Sequence, residues 1–236
     1  MRSRSILSFA ISLLLFSCTQ QKETTTIDPG EIRALSNPIF VFNNAFISNE
    51  VQQISLEDQA VLLNELGFDG IEHQEVEGLL ETEKVFKNHG LNIYADYMKI
   101  DIDHEPHYLL AWKEVIPKLK GSNIILWTHI HSEKYQPSDE SADEEVVKIL
   151  VELADFAEPY GVRIAIYPHT GFLAEKSDDS YRLAVRANRS NVGSVFNLCH
   201  FLKTEKEENL KSAINRTLPR LFAVSISGLT EAIHNP

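Results

Sequence analysis

The feature that most constrains the fold of this chain is a regular alternation of two kinds of segment from about residue 38 onwards. Seven short runs rich in β-branched and aromatic residues alternate with six longer segments whose apolar residues recur at helical spacing. Four helical segments end in a glycine just before the next run, as helix-to-strand turns do: Gly67, Gly90, Gly121 and Gly161. Strict alternation of strands and helices requires parallel strands with right-handed crossovers. The sequence therefore predicts an α/β protein with a parallel sheet.

Two folds satisfy this pattern: an open doubly wound sheet and a (β/α)8 TIM barrel. An open dinucleotide-binding sheet carries a glycine-rich phosphate loop after its first strand, and no such loop follows NPIFVFNNAF. The units are evenly spaced, and polar residues cluster at the ends of the strands. We therefore predict a barrel over residues 37–236 that lacks the last βα unit and a half. We expect the sequence to be a truncated product or fragment, and the alternative is a natural short form.

The first residues of the chain are predicted to lie outside the barrel. MRSRSILSFAISLLLFSC has two arginines and then an apolar run too short for a comfortable membrane span. Its end resembles the lipobox of bacterial lipoproteins, which implies removal of residues 1–17 and lipid modification of Cys18. The alternative is an ordinary signal peptide that is cut elsewhere. Residues 18–36 are polar and lack periodicity, as a flexible tether does.

The signal predicts a lipid-anchored protein of the bacterial cell envelope, on its periplasmic or surface face, with the choice of inner or outer membrane left open. The chain has 22 Lys and Arg against 34 Asp and Glu, which gives a net charge of -12. Loss of the two arginines in residues 1–17 leaves -14. Because no basic patch stands out in the sequence to neutralise phosphates, we expect no nucleic-acid partner. The oligomeric state stays open.

The stretch IAIYPHTGF, residues 164–172, indicates where the active site of a barrel lies. Pro168 lacks a backbone N–H and ends the strand, so a buried strand stops with polar residues at its tip. Side chains of a barrel strand alternate between the interior and the helices, and active sites lie at the C-terminal ends of the strands. Tyr167 and His169 are therefore predicted to face the mouth of the barrel, while Ile164 and Ile166 face the helices.

The ends of the other predicted strands carry similar side chains. GFDGIEHQ ends with Glu72 and His73, of which alternation allows only one to point inwards. The remaining strand-end candidates, from ILWTHIH and VFNLCH, are Trp127, His129, His131, Asn197 and His200. Imidazole and carboxylate groups together can move protons or bind a divalent metal ion at neutral pH.

The segments GFDGIEH, the strand ending in YPH, and FNLCH resemble the xylose isomerase-like TIM barrels, the sugar phosphate isomerase/epimerase group. The resemblance covers roughly residues 38–228. It aligns Glu72 with the glutamate that ends the second strand in that family, and His169 and His200 with histidines of the fifth and sixth strands. Tyr167 and Asn197 stand where the family has a metal-binding glutamate and an aspartate. The family's last strand, with its glutamate, has no counterpart here.

The resemblance implies a sugar isomerase/epimerase-like protein that acts on a free sugar or sugar derivative by proton transfer. Glu72 and His200 are then the catalytic acid and base, and Trp127, Tyr167 and Asn197 bind the carbohydrate. His169 and His129 are the expected ligands of a divalent ion, Mn²⁺, Mg²⁺ or Zn²⁺. Because two anionic ligands are replaced, the alternative is a non-catalytic carbohydrate-binding lipoprotein with a degenerate metal site.

Overall fold

The computed structural model describes residues 37–47 and 53–227. The predicted signal peptide, Cys18, the tether and the chain from residue 228 onwards lie outside the described residues. In the described part, no helix combines the length and apolar character needed to cross a membrane. The structure therefore bears on the barrel, and the lipid anchor stays a prediction.

The strands in the described residues form one parallel sheet, and their order in the sheet is their order in the chain. They are β1 (Phe40–Val41), β2 (Gly70–Gln74), β3 (Asn92–Asp101), β4 (Ile125–His131), β5 (Arg163–Ile166), β6 (Val192–Asn197) and β7 (Leu221–Ser225). A doubly wound sheet reverses its strand order at a switch point, whereas a barrel adds each strand to the same side. The consecutive order confirms the predicted barrel winding.

Every crossover between strands contains helix, as predicted. The α-helices are α1 (Asn44–Ile47), α2 (Leu56–Glu65), α3 (Leu79–Asn88), α4 (Ala111–Val115), α5 (Asp143–Ala157), α6 (Ser177–Ala187), α7 (Leu198–Thr204) and α8 (Leu210–Thr217). The crossovers after β1 and β6 each hold two α-helices where the sequence predicted one. The predicted interruption at Pro117 is confirmed, because α4 ends at Val115 and a 3-10 helix follows over Ile116–Leu119.

The sheet is curled around a common interior, as contacts between distant strands show. Phe40 in β1 and Phe42 just after it place their rings 5.8 and 6.1 Å from the ring of Trp127 on β4. The ring of Phe42 also lies 6.3 Å from that of Tyr167, next to the end of β5. In a flat sheet, four strand spacings of about 4.8 Å would separate β1 from β5 by roughly 19 Å. The described strands therefore bend into the wall of a barrel.

The two faces of the sheet carry different layers of the core. Ala165 and Tyr167 pack with Trp127 in a cluster inside the barrel. Ile164 and Ile166 are fully buried in the larger cluster that joins the outer face of the sheet to the helices. The alternation predicted for β5 is therefore confirmed, and the barrel interior is narrow and aromatic.

The helix layer fixes the strands from outside. Phe86 on α3 and Leu150 on α5 are completely buried, and burial of each such side chain contributes roughly 1.5–3 kcal/mol relative to exposure. Asp143 at the start of α5 is 2% exposed and accepts hydrogen bonds from Arg182 Nε and Arg186 Nη1 of α6 at 2.9 and 2.8 Å. This buried carboxylate ties α5 to α6 and holds β5 in place between them.

Candidate active site at the barrel mouth

The register between β2 and β3 decides which of two adjacent polar residues enters the barrel. Glu72 pairs with Ala95, which belongs to the interior cluster, so Glu72 shares the interior face. His73 pairs with Asp96 on the outer face, where its Nδ1 lies 2.8 Å from Asp96 Oδ2. The sequence left this choice open, and the structure assigns the interior position to the predicted catalytic residue Glu72.

Glu72 is completely buried, and its two carboxyl oxygens differ. Oε2 accepts a hydrogen bond from the backbone N–H of Asn43 at 2.9 Å, while Oε1 has no partner within the described residues. Burial raises the pKa of Glu72 to about 9, against the opposing effect of the Asn43 hydrogen bond and with a smaller contribution from the charge of Asp96. Glu72 is therefore a neutral carboxylic acid at pH 7 and can donate a proton.

Aromatic rings form the wall beside Glu72. The ring of Tyr167 lies 5.4 Å from that of Trp127 at 25° and meets the ring of Tyr97 edge-on at 5.0 Å. Tyr97 in turn stacks on the imidazole of His129 at 4.0 Å. Burial raises the pKa of Tyr167 to about 12 and that of Tyr97 above its usual range, so both phenols keep their protons. The wall is therefore a packed aromatic layer that carries two protonated phenol hydroxyls.

Asn197 holds two other residues of the site in place. Its Nδ2 donates to the Tyr167 hydroxyl, and its Oδ1 accepts from the backbone N–H of His200 at 3.0 Å, which caps the start of α7. The side chain is buried, and both of its polar groups are engaged. Asn197 thus positions Tyr167 and His200, and its predicted contact with a carbohydrate stays a prediction.

His169 and His200 lie side by side, with ring centroids 3.9 Å apart. His169 Nδ1 lies 2.8 Å from the carbonyl oxygen of Thr170, which can only accept, so this nitrogen carries a hydrogen. The backbone N–H of Thr170 donates to His200 Nδ1 at 3.2 Å, so that nitrogen carries none. A neutral His169 therefore has its lone pair on Nε2, and a neutral His200 has its hydrogen on Nε2. One residue, Thr170, fixes opposite tautomers in the two rings.

Both rings are neutral at pH 7. Burial, with smaller effects from the charges of His169 and Lys203, lowers the pKa of His200 to about 4. Burial also lowers the pKa of His169, opposed by its hydrogen bond to the Thr170 carbonyl. The mouth therefore presents an imidazole lone pair next to an imidazole N–H, which is an arrangement suited to general acid–base chemistry.

A second imidazole pair lies on β4. His129 Nδ1 and His131 Nε2 are 2.6 Å apart, so one hydrogen lies between the two rings. Burial, then the neighbouring charge of His131, lowers the pKa of His129 to about 3. The ring of Phe172 lies 3.9 Å from that of His131 and stacks on His169 at 4.1 Å. Phe172 therefore joins the two imidazole pairs into one surface.

Sequence reasoning missed Thr170 and Phe172, although both lie in the stretch IAIYPHTGF that pointed to the mouth. A hydroxyl and an aromatic residue directly after a strand-end histidine were the available signal. The structure brings His129, His131, His169 and His200 together with Phe172 at one end of the barrel.

The side chains at the mouth show whether the predicted metal site has enough suitable ligands for a divalent ion. Within residues 37–47 and 53–227, no three His, Cys, Asp or Glu side chains are grouped so that they could hold a metal ion. Tyr167 and Asn197, at the two positions where the resemblance expects carboxylates, bind each other. His129 Nδ1 is engaged by His131 and His169 Nδ1 by the Thr170 carbonyl, so each of these two rings could offer a metal ion only its Nε2. The described donor set therefore does not fit a carboxylate-rich Mg²⁺ or Mn²⁺ site.

The consecutive parallel strands, the filled interior and the polar rim at the C-terminal ends of the strands define a TIM barrel with its candidate active site at the mouth. The sequence profile of the xylose isomerase-like TIM barrels matches residues 61–233. The chain belongs to this family, which confirms the resemblance found in the sequence.

Individual relatives cover different shares of the chain. An inosose isomerase from Bacillus licheniformis is 42% identical over 57 residues, which are 23% of this chain and 20% of that enzyme. The chain thus aligns with about a fifth of the length of this curated relative. Its activity therefore supports a proposal for the present chain and does not establish one.

Solved structures share the fold at low sequence identity. The probable 3-DHS dehydratase AsbF from Bacillus anthracis has a TM-score of 0.67 at 14% identity, covering 84% of this chain and 76% of that one. The 3-keto-D-glucoside 4-epimerase YcjR from E. coli has a TM-score of 0.64 at 18% identity, covering 81% and 79%. The IolI protein with a bound zinc atom has a TM-score of 0.61 at 20% identity, covering 77% and 70%. One fold thus hosts several activities, so the likeness shows the fold alone.

Proposed function

We propose that this protein is a sugar isomerase/epimerase-like enzyme that acts on a free sugar or sugar derivative outside the cytoplasm by proton transfer. The observation that carries the proposal is the pair His169 and His200, whose rings lie 3.9 Å apart in opposite tautomers. A proton acceptor beside a proton donor is what the movement of hydrogen between neighbouring carbons requires. Similarity to an inosose isomerase and a 3-keto-D-glucoside 4-epimerase supports this reaction class.

The proposed substrate has a carbonyl carbon next to a carbon that bears hydrogen. His169 Nε2 takes that hydrogen as a proton, the C–H electron pair forms a carbon–carbon double bond, and the carbonyl oxygen takes a proton from His200 Nε2 or from Glu72. In an epimerisation a proton returns to the first carbon from the other face, and the new hydroxyl gives its proton back to the donor, which restores the original carbonyl. In an isomerisation the first carbon must also carry a hydroxyl: the protonated His169 returns its proton to the former carbonyl carbon, the new hydroxyl keeps its proton, and the hydroxyl on the first carbon gives its proton to the donor and becomes the new carbonyl.

An uncharged polyol fits the described mouth. The four imidazoles have pKa values below their usual range because they are buried, and Glu72 is protonated at pH 7, so these five groups are neutral, with the positive charges of Lys99 and Lys203 nearby. Trp127 and Tyr167 are 1% and 4% exposed, stack on each other and pack against Phe42, so neighbouring side chains cover their ring faces. Their predicted roles in carbohydrate binding stay predictions.

The proposal includes the lipid anchor at Cys18, which rests on the sequence pattern of residues 1–18. The proposed reaction uses no metal ion, because no three candidate donor side chains are grouped together within the described residues. The metal content of the purified protein tests whether a divalent ion binds at the predicted ligands His169 and His129.

A second candidate function is capture of carbohydrate without turnover. The observation that favours it is the hydrogen bond between Asn197 and Tyr167, since these residues stand where the resemblance expects carboxylates. In this case the mouth binds the sugar through the same neutral groups, and no carbon-bound hydrogen exchanges.

The test separates these candidates by following carbon-bound hydrogen. The purified full-length protein is incubated in D₂O with free aldoses, ketoses and keto-inositols, together with their phosphorylated counterparts, and deuterium incorporation is measured by NMR. We expect exchange with an unphosphorylated substrate, and a loss of roughly 100-fold or more in His169→Asn, because general acid–base groups contribute about that factor. His89→Asn, at the end of α3, is the matched control.

Each outcome decides between the candidates. Binding by calorimetry without exchange supports the carbohydrate-binding module, and neither binding nor exchange overturns both proposals. Metal content measured on the same samples addresses the predicted ion: stoichiometric metal that is lost in His169→Asn would establish the metal-assisted form of the reaction.

A further inference from the structure

A groove at the N-terminal pole of the barrel, opposite the mouth, is lined by lysines. It lies between the end of α3 and the turn that precedes β4, and its volume is about 370 Å³. Its lysines are Lys84, Lys87, Lys118 and Lys120. All four side chains are exposed. Within residues 37–47 and 53–227, none of the four forms an ion pair; the lysines that do are Lys99, Lys113, Lys134 and Lys206.

This concentration of positive charge contrasts with the chain as a whole. The net charge is -12, and Glu83 is the one carboxylate that lines the described groove. An acidic protein is repelled by anionic surfaces except where cations cluster locally. The groove is therefore a face on which the described barrel can approach an anionic surface.

The chain enters the barrel at the same pole. Asn92, the first residue of β3, lines the groove. It pairs with Gly70, which pairs with Phe40 at the start of β1. Two strand spacings therefore separate the start of β1 from the rim of the groove, which is roughly 10 Å. The segment predicted as the tether, residues 19–36, ends one residue before Asn37, which lies three positions ahead of the start of β1.

We propose that this lysine groove binds the headgroups of anionic phospholipids and holds the barrel with its N-terminal pole towards the membrane and its mouth towards solvent. The proposal rests on the lipid anchor of the proposed function and on the tether predicted from the sequence, since 18 polar residues behaving as a random coil would span about 25 Å and keep the pole near the bilayer. Anionic headgroups attract each nearby lysine, and the attraction is lost within a Debye length. The chemistry recognised is a phosphate diester at a membrane surface.

The test measures hydrogen–deuterium exchange of the purified lipoprotein on vesicles of phosphatidylcholine, with or without about 30 mol% phosphatidylglycerol. On anionic vesicles at low salt, amides of residues 83–93 and 117–124 should exchange more slowly by roughly fivefold or more, the contribution of a single lysine at such a surface. Salt of about 0.5 M should abolish the difference. The double variant Lys87→Gln with Lys120→Gln should abolish it too. Lys206→Gln with Lys211→Gln removes equal charge just before and within the first turn of α8, and this control variant should retain the difference.

Comparing neutral with anionic vesicles tests the lipid anchor and the lysine groove separately. Sedimentation with pure phosphatidylcholine vesicles reports the lipid anchor alone, because those vesicles do not attract lysines. If the protein does not sediment with the neutral vesicles but its amide exchange still slows on anionic vesicles, the lipid anchor is refuted and the lysine groove is supported. Equal exchange on both vesicle types would refute the groove. Slowing by free inorganic phosphate on neutral vesicles would also overturn the proposal, since the groove would then be a site for a soluble anion.

Discussion

The pH dependence of folding stability offers a direct test of Glu72 as a buried neutral acid. Its pKa rises from 4.5 in the unfolded chain to about 9 in the barrel. Between these values the unfolded state has released the proton and the folded state still holds it, so the free energy of unfolding falls as pH rises. The slope is up to about 1.4 kcal/mol per pH unit, which amounts to about 3 kcal/mol lost by pH 7.

Glu72→Gln removes this titration while it retains the shape of the side chain. We expect the variant to match the wild type near about pH 4.5 and to exceed its unfolding free energy by up to about 3 kcal/mol at pH 7, the difference widening as pH rises. Urea unfolding at several pH values gives both curves. Glu65→Gln, exposed at the end of α2, is the control and should not change the slope. Parallel curves for Glu72→Gln and wild type would refute the assignment, because Glu72 would then ionise as readily in the fold as outside it.

Three further predictions concern the imidazole pair and its supports. Because burial lowers the pKa of His200 to about 4, the proposed exchange activity should persist below pH 6 and decline towards pH 4. A pH–rate profile measures this, and a midpoint near the ordinary pKa of histidine would contradict it. Thr170→Val loses the hydroxyl contact to His200 Nδ1 at 3.0 Å. It should lower kcat by about fivefold with little change in KM, because that is the effect of one net hydrogen bond. An unchanged kcat would count against the proposal that Thr170 fixes the tautomer of His200. Asn197→Ala removes the cap of α7 and the bond to Tyr167, so urea unfolding should show a loss of about 1–3 kcal/mol, and a neutral result would mean that neither bond matters to stability.

Much of the fold could be predicted because it depends on local patterns. The alternation of apolar runs and helical segments predicted parallel strands, and Pro117 predicted the end of α4. The parity of IAIYPH placed Tyr167 inside the barrel and Ile166 against the helices, as the structure confirms. Periodicity predicts such features because each strand or helix displays its own residues on fixed faces.

The site was less accessible to sequence reasoning. The alternation of side chains along β2 does not show whether Glu72 or His73 points into the barrel. That depends on the register between β2 and β3, which shifts between Ile71 and Glu72. The roles of Thr170 and Asn197 depend on hydrogen bonds that join β5, β6 and the loops after them. No spacing in the sequence encodes contacts between residues 30 positions apart.

The sequence by itself determined that the chain is an α/β barrel of the xylose isomerase-like family with histidines at its rim, because hydrophobic periodicity and strand-end chemistry are written residue by residue. Only the tertiary structure decided the state of those groups: that Glu72 is protonated and that His169 and His200 present a lone pair beside an N–H. The physical reason is that protonation and tautomer depend on burial and on the partners that neighbouring strands supply, and these exist only once the strands have folded around the site.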